Sequence, residues 1–202
     1  MARDLLIATS NRKKKSELQE ILAGYDINVV SLDELEGMPD IDEDGATFAD
    51  NALKKARTMA KISGMLTLAD DSGLMVDALG GAPGIYSARF AGPDCNDADN
   101  NAKLLKLLGK VPKTERTARF VCVIAMAIPG SIAETAQGIC EGRIIETPRG
   151  QKGFGYDPLF IPAGCTQTFA ELGEGMKNQI SHRGRALQAA KPLLRRLLNM
   201  EG

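Results

Sequence analysis

A single histidine serves 202 residues, and the four cysteines (Cys95, Cys122, Cys140, Cys165) contain no C-x-x-C pair. These two scarcities count against a His/Cys zinc centre. Thiols so spaced fit a reducing compartment better than a disulfide framework. No apolar run approaches the roughly 20 residues needed to cross a bilayer, and Leu5 to Ala8 is too short to form the core of a secretory signal. The expectation is a cytoplasmic protein with no membrane partner. A surplus of one charge is also missing. Lys+Arg number 25 against 26 Asp+Glu, a net −1, so no general electrostatic grip on DNA or RNA is expected. Tryptophan, internal repeats and low-complexity segments are absent.

What is present is ordinary for a globular chain: 44% hydrophobic and 25% charged residues, enough over residues 1–202 for one ample domain or two lobes around a shared sheet. Its centre is Leu66-Thr67-Leu68-Ala69-Asp70-Asp71-Ser72-Gly73-Leu74. An apolar run ends in two carboxylates, a hydroxyl and a glycine. Alternation along a strand sends Asp70 and Asp71 to opposite faces, and a turn at Ser72-Gly73 would relax that and let both converge. Paired carboxylates suit a hard cation such as Mg²⁺, which takes oxygen ligands from one or two carboxylates and from substrate phosphates. Asp, Ser and Gly are also common turn formers, and a plain turn fits these four residues too.

Upstream, Leu5 to Ala8 reads as a buried strand, followed by the turn Thr9-Ser10-Asn11. A helix then carries Leu18, Ile21 and Leu22 inward and stops at Gly24. Strand–turn–helix geometry aims unpaired helix N–H groups beyond the strand end, a place that favours phosphate. Arg12, Lys13, Lys14 and Lys15 crowd that helix start, where cations oppose the macrodipole. Either they form a solvated face or an anion binds among them. The G-x-x-x-x-G-K-[ST] phosphate loop is absent.

Ile27 to Val30 reads as a second strand. The acidic loop from Asp40 to Gly45 precedes a helix over residues 48–63, opened by a Thr47…Asp50 capping box and closed by Gly64. Glu43 in that loop is a candidate metal or supporting carboxylate. A glycine-dense stretch, Gly80 to Arg89, permits close backbone approach to a ligand. Residues 96–108 read as a helix with Ala102, Leu104, Leu105 and Leu108 inward. Arg116 to Ile128 and Gly138 to Thr147 read as long antiparallel strands around Pro129-Gly130, and Leu159 to Pro162 as a short one. Between them, Phe154-Gly155-Tyr156-Asp157 sets aromatics among glycines before a carboxylate, either to stack on a base and bond its edge or to form a turn with Phe154 in the core. Lys177 falls in a polar loop. His182 and Arg183 open a terminal helix that buries Ala186, Leu187, Ala190, Leu194, Leu197 and Leu198, with Pro192 expected to kink or break it.

From about Leu6 to Leu187 the chain resembles the noncanonical purine nucleoside triphosphate pyrophosphatases, the Ham1-like family. The resemblance rests on six ordered blocks: Ala8-Thr9-Ser10-Asn11-x-x-Lys14; Glu43-x-Gly45-x-Thr47-Phe48 with Asn51, Lys54 and Lys55; Ala69-Asp70-Asp71-Ser72-Gly73-Leu74; Gly80 to Arg89; Phe154-Gly155-Tyr156-Asp157-Pro158; and Ser181-His182-Arg183-Gly184. Ser10 and Lys13 stand where such turns often carry glycine.

The resemblance implies an α/β fold, an elongated mixed β-sheet flanked by helices, with two lobes about a central nucleotide cleft. It implies a homodimer, Mg²⁺ dependence, and hydrolysis of ITP, dITP and XTP to monophosphate and pyrophosphate. In that reading Glu43 and Asp71 hold the metal, Asp71 is the general base with Asp70 in support, and Lys54 neutralises phosphate charge. Thr9, Ser10, Asn11, Arg12, Lys13 and Lys14 face the phosphates. Ser72, Phe154, Gly155, Tyr156, Asp157, Lys177, His182 and Arg183 contact the rest of the purine nucleotide. Two rivals use the same residues differently. A regulatory nucleotide-binding module would bind without turnover, and has no need of a base beside a metal. A phosphomonoesterase would release orthophosphate and would carry a D-x-D motif after a strand, which is missing here.

Overall fold

In the computed structural model, residues 3–22 and 26–200 are described, the side chains of residues 21, 199 and 200 excepted. The expected helix stop at Gly24 and the inward side chain of Ile21 therefore lie outside the described residues.

Strand β1 (Arg3–Ile7) buries Leu5, Leu6 and Ile7 in succession, the unbroken apolar run of a strand covered on both faces. It pairs in parallel with β2 (Ile27–Ser31) on one side and β3 (Leu66–Val76) on the other, with Leu5 opposite Leu66 and Ile7 opposite Leu68. The helices α1 (Arg12–Leu22) and α2 (Phe48–Ser63) lie in the connections that parallel pairing requires. The sheet continues through β4 (Thr117–Ala127), β5 (Ala133–Ile144) and β6 (Phe160–Pro162) in the order β2-β1-β3-β4-β5-β6. β5 and β6 are antiparallel, so the sheet is mixed. Residues 128–132 turn β4 into β5, with Ile128 N donating to Ile132 O at 3.2 Å. The remaining helices are α3 (Asp97–Leu107), α4 (Glu174–Ile180) and α5 (His182–Met200).

The chain divides into two compact units, and each has a core of its own. The first comprises Met1–Asp71, Cys122–Gly138 and Ala186–Gly202. Its core joins Leu5, Ile7, Leu18, Leu66 and Leu68 to Ile124, Leu187, Leu194 and Leu197. The second comprises Ser72–Val121 and Ile139–Arg185. Its core is richer in rings: Phe120, Tyr156, Phe160 and Phe169 pack with Leu74, Leu104 and Leu108.

Five expectations are corrected. No turn interrupts the chain at Ser72-Gly73, because β3 runs on to Val76. The β1 register ends at Leu68, but β3 also neighbours β4 in the sheet, and pairing of strand backbone groups outweighs local turn preference. The second hairpin strand spans Ala133–Ile144, starting and ending earlier than its glycine and threonine suggested. In α3 Ala102 is exposed while Leu104 is buried. Lys177 lies on α4 and not in a loop. Pro192 does not break α5: the proline and Gln188, whose carbonyl loses its helical donor, are both exposed.

α2 carries polar side chains that reach β3, and its start is fixed chemically. Thr47 Oγ1 accepts from Asp50 N at 3.1 Å, and Asp50 Oδ2 accepts from Thr47 N at 3.1 Å. Replacing Thr47 with alanine removes half of this reciprocal cap, at an expected cost of about 1 kcal/mol. Urea denaturation should show the lower midpoint with an unchanged m-value.

Candidate functional site

In the first unit, carboxylates from the acidic loop and β3 meet ammonium groups from α1 and α2. Asp70 and Asp71 are only 1% and 3% exposed. A charged group so placed needs partners, and each has them. Lys14 Nζ stands 3.4 Å from Asp70 Oδ2. Asn51 Nδ2 donates to Asp71 Oδ2 at 3.0 Å. Lys55 Nζ donates to Glu43 Oε1 and to the Asp70 carbonyl, both at 2.6 Å. Asn51 has a second bond, its Oδ1 accepting from Gly45 N at 2.8 Å. Asn51 and Lys55 are four residues apart and so share one face of α2. Between them they fasten the acidic loop to β3.

The charges are tuned as this crowding dictates. Burial pushes the Asp71 carboxyl above its usual range and nearby Glu43 adds to the rise, while Lys55, Lys14 and the Asn51 bond hold it back. Burial pulls the Lys55 ammonium down, but Asp70, Glu43 and Asp71 outweigh it and the net shift is upward. Lys55 therefore stays charged. Asp71 is a carboxylate nearer to accepting a proton than an exposed one would be.

The turn between β1 and α1 is organised by Asn11. Its Oδ1 accepts from Lys13 N at 3.0 Å and Lys14 N at 3.2 Å, and its own N–H reaches Thr9 Oγ1 at 3.2 Å. No acidic residue lies in the first turn of α1. Ser10, Arg12 and Lys13 are exposed, and Lys15 turns aside to Asp33 at 2.9 Å.

The second unit holds a different set. Lys177, 5% exposed, donates to Asp157 Oδ2 at 2.7 Å, with its ammonium 4.9 Å from the Phe154 ring centre. Arg183, 1% exposed, donates to Ser72 Oγ at 3.1 Å and lies 5.8 Å from the same ring. Asp157 Oδ2 also accepts from Phe154 N at 2.9 Å. Gly153 is required there: its φ is +75°, and a Cβ would collide with that carboxylate oxygen. His182 stacks on Phe120 at 4.7 Å. Tyr156 is buried and its hydroxyl donates to Ser87 O at 2.8 Å. Buried cations beside a half-buried aromatic ring can receive a flat ring that carries acceptors on its edge.

The profile of the Ham1 family matches residues 5–193. The chain belongs to the Ham1 family. It is 56% identical over 193 residues to a dITP/XTP pyrophosphatase from Desulforamulus reducens, covering 96% of each chain. It is 52% identical over 188 residues to one from Shouchella clausii, covering 93% of this chain and 94% of the other. The solved Ham1 protein of Coxiella burnetii superposes with a TM-score of 0.87 at 41% identity, covering 97% of this chain and 100% of that one. For the Staphylococcus aureus Ham1 protein the TM-score is 0.84 at 40% identity, with 99% and 100% covered.

Within this Ham1 chain the expected residues are placed unevenly. Glu43, Asp70, Asp71 and Lys14 gather in the first unit, and Ser72, Phe154, Asp157, Lys177 and Arg183 in the second. Lys54 stands apart. Its ammonium bonds Asp44 Oδ1 at 2.6 Å and the Asp42 carbonyl at 3.0 Å, and its side chain is 41% exposed. Successive residues on a helix point about 100° apart, so Lys54 and Lys55 cannot both face the carboxylates. It is Lys55 that does. Tyr156 and His182 pack as interior rings. Asn51 and Lys55 had no role assigned from sequence, yet a signal was available. Asn51 sits beside Phe48, Ala52 and Ala56 on the buried stripe of α2, and a polar residue there must have found partners.

Because folding raises the Asp71 pKa above its ordinary value of 3.8, the ionised carboxylate opposes folding at all pH values above the raised pKa. That penalty fades as pH falls through the raised value toward the unfolded one. Asp71→Asn should therefore melt higher than wild type at about pH 7, with the gap closing toward about pH 4. Differential scanning calorimetry across that range reads both the sign and the trend.

Proposed function

We propose that this chain hydrolyses noncanonical purine nucleoside triphosphates (dITP, ITP and XTP) to the monophosphate and pyrophosphate, clearing them from the nucleotide pool. One observation carries the reading: a buried carboxylate of raised pKa, Asp71, lies in a hydrogen-bonded frame with a second carboxylate and two ammonium groups. That set offers a general base and an anion-neutralising environment together. The relatives named dITP/XTP pyrophosphatase support the same chemistry.

Glu43 and Asp71 would hold Mg²⁺. Among the described residues no group of three or more His, Cys, Asp or Glu could hold an ion unaided. The donors still fit this ion, which commonly takes one or two carboxylates and completes its shell with water and substrate phosphates. When bound, Mg²⁺ offsets charge on the phosphate and leaving-group oxygens. The chain's residues do the rest. Asp71 takes a proton from the water whose oxygen bonds to the α-phosphorus, and the α–β bridging bond breaks with its electrons going to pyrophosphate. Lys14 and Lys55 neutralise that charge, Asn51 holds the carboxylate, and the Thr9–Lys13 turn receives the phosphate tail. Lys54 keeps the acidic loop closed through Asp42 and Asp44.

Base recognition falls to the second unit. Phe154 offers a ring for stacking, and Lys177 and Arg183 are donors suited to the 6-oxo group of hypoxanthine and xanthine. Adenine would present its 6-amino donor to donors, a mismatch worth roughly 10- to 100-fold. The active form proposed is a cytoplasmic homodimer with no nucleic-acid or membrane partner. None of the described helices is long and apolar enough to cross a membrane.

Ion-exchange analysis of reactions with Mg²⁺ and ITP, XTP, GTP or ATP tests the proposal. Monophosphate plus pyrophosphate from ITP and XTP is expected, with ATP spared. Diphosphate plus orthophosphate would overturn it, as would binding without turnover. Variants add a second check. Lys55→Met should lower kcat by about 100-fold or more, while Lys54→Met stays within about fivefold. The rate should also rise with pH as Asp71 deprotonates.

A further inference from the structure

The turn that carries Phe154 is gripped from α3 by two residues that belong to neither charged cluster. Gly155 N donates to Asp97 Oδ2 at 2.8 Å, and Gly155 O accepts from Asn101 Nδ2 at 3.0 Å. Asp97 and Asn101 are four residues apart, so one face of α3 engages both polar groups of a single residue. That residue is in the left-handed region, with φ +59°, and as a glycine it has the most freedom to lose. On either side of it the chain is already tied. Phe154 N is held by Asp157, and the Tyr156 hydroxyl by the Ser87 carbonyl. The grip on Gly155 fixes the one pivot left between them.

Two details separate this arrangement from ordinary helix capping. The start of α3 is capped by other groups: Asn96 Oδ1 accepts from Ala98 N at 2.8 Å and Asp99 N at 3.1 Å, and Asp99 Oδ2 accepts from Asn96 N at 3.0 Å. Asp97 is not used for that purpose. Asn101 also has a buried Oδ1 with no hydrogen-bond partner among the described residues, a local loss of stability tolerated while Nδ2 holds Gly155.

We infer that Asp97 and Asn101 are positioning residues for base recognition, setting the Phe154 ring against Lys177 and Arg183 by clamping the Gly155 peptide groups. The inference rests on the reading of the second unit as the base-recognising half. Loosening the pivot lets the ring wander, which weakens nucleotide binding and leaves the hydrolytic residues of the first unit alone.

The test compares wild type with Asp97→Ala, Asp97→Asn, Asn101→Ala and Asp99→Ala. Readouts are kcat and KM for ITP, calorimetric Kd for inosine 5′-monophosphate, and melting temperature. Asp97→Ala and Asn101→Ala should raise KM and Kd about tenfold, with kcat within about twofold. Asp97→Asn keeps an acceptor oxygen and should restore near wild-type values. Asp99→Ala should lower the melting temperature by removing the cap, without moving KM or Kd. Asn101→Ala should not melt lower than wild type, whereas a merely structural residue would. Unchanged KM and Kd in Asp97→Ala and Asn101→Ala overturn the inference, as does an equal rise in Asp99→Ala. If wild type binds the monophosphate but does not hydrolyse ITP, the proposed activity fails, and the Kd series alone decides the clamp. If wild type binds no purine nucleotide, both fail.

Discussion

Two adjacent aspartates, both almost fully buried, resist leaving water. Everything placed around the middle of β3 answers to that constraint. α1 is oriented so that Lys14 reaches Asp70. α2 turns toward the strand a face that is apolar except where it must supply Asn51 and Lys55. The acidic loop adds a further carboxylate, Glu43, and Lys55 answers it directly. The result is not a neutralised cluster. Desolvation and Glu43 keep Asp71 above its ordinary pKa despite two lysines and a donated amide proton. Stability is lowered at this carboxylate, a relation common at sites that hold groups away from their solution behaviour.

The second unit solves a different problem, how to keep cations inside a ring-rich core. Lys177 is matched by one carboxylate and by the faces of Phe154 and Phe169, and Arg183 by a hydroxyl and the face of Phe154. Aromatic faces attract cations without neutralising them. Phe120, Phe160 and Phe169 pack edge-on and tilted beneath, and His182 completes the stack on Phe120. The lone histidine is thus held as a ring among rings.

Much of this was legible in the sequence. The helix cap at Thr47 and the stop at Gly64 were readable because capping depends on residues only a few positions apart. The polar turn before α1, the acidic loop and the paired aspartates were also readable as chemistry. Three things were not. Whether Ser72-Gly73 turns or stays extended depends on the strands beside it, which no local pattern encodes. That Lys55 and not Lys54 faces the carboxylates depends on the rotation of α2 relative to β3, a tertiary quantity that shifts by a full face for one residue. The placing of Lys177 on α4 was hidden because the seven-residue helix, opened by Gly173 and interrupted by Gly175, lacks a periodic apolar stripe. Pro192 misled for a related reason: its cost falls on a carbonyl that water can reach.

The division of the chain places the Asp70–Asp71 cluster and the Phe154–Lys177–Arg183 cluster with separate cores, Asp71 closing the first segment of one unit and Ser72 opening the other. Each core can then vary under its own selection. Under the proposed reading, a lineage confronted with a different base could retune Phe154, Lys177 and their supports by substitutions confined to the second core. The Glu43–Asp70–Asp71 cluster, anchored in the first, would be inherited unaltered.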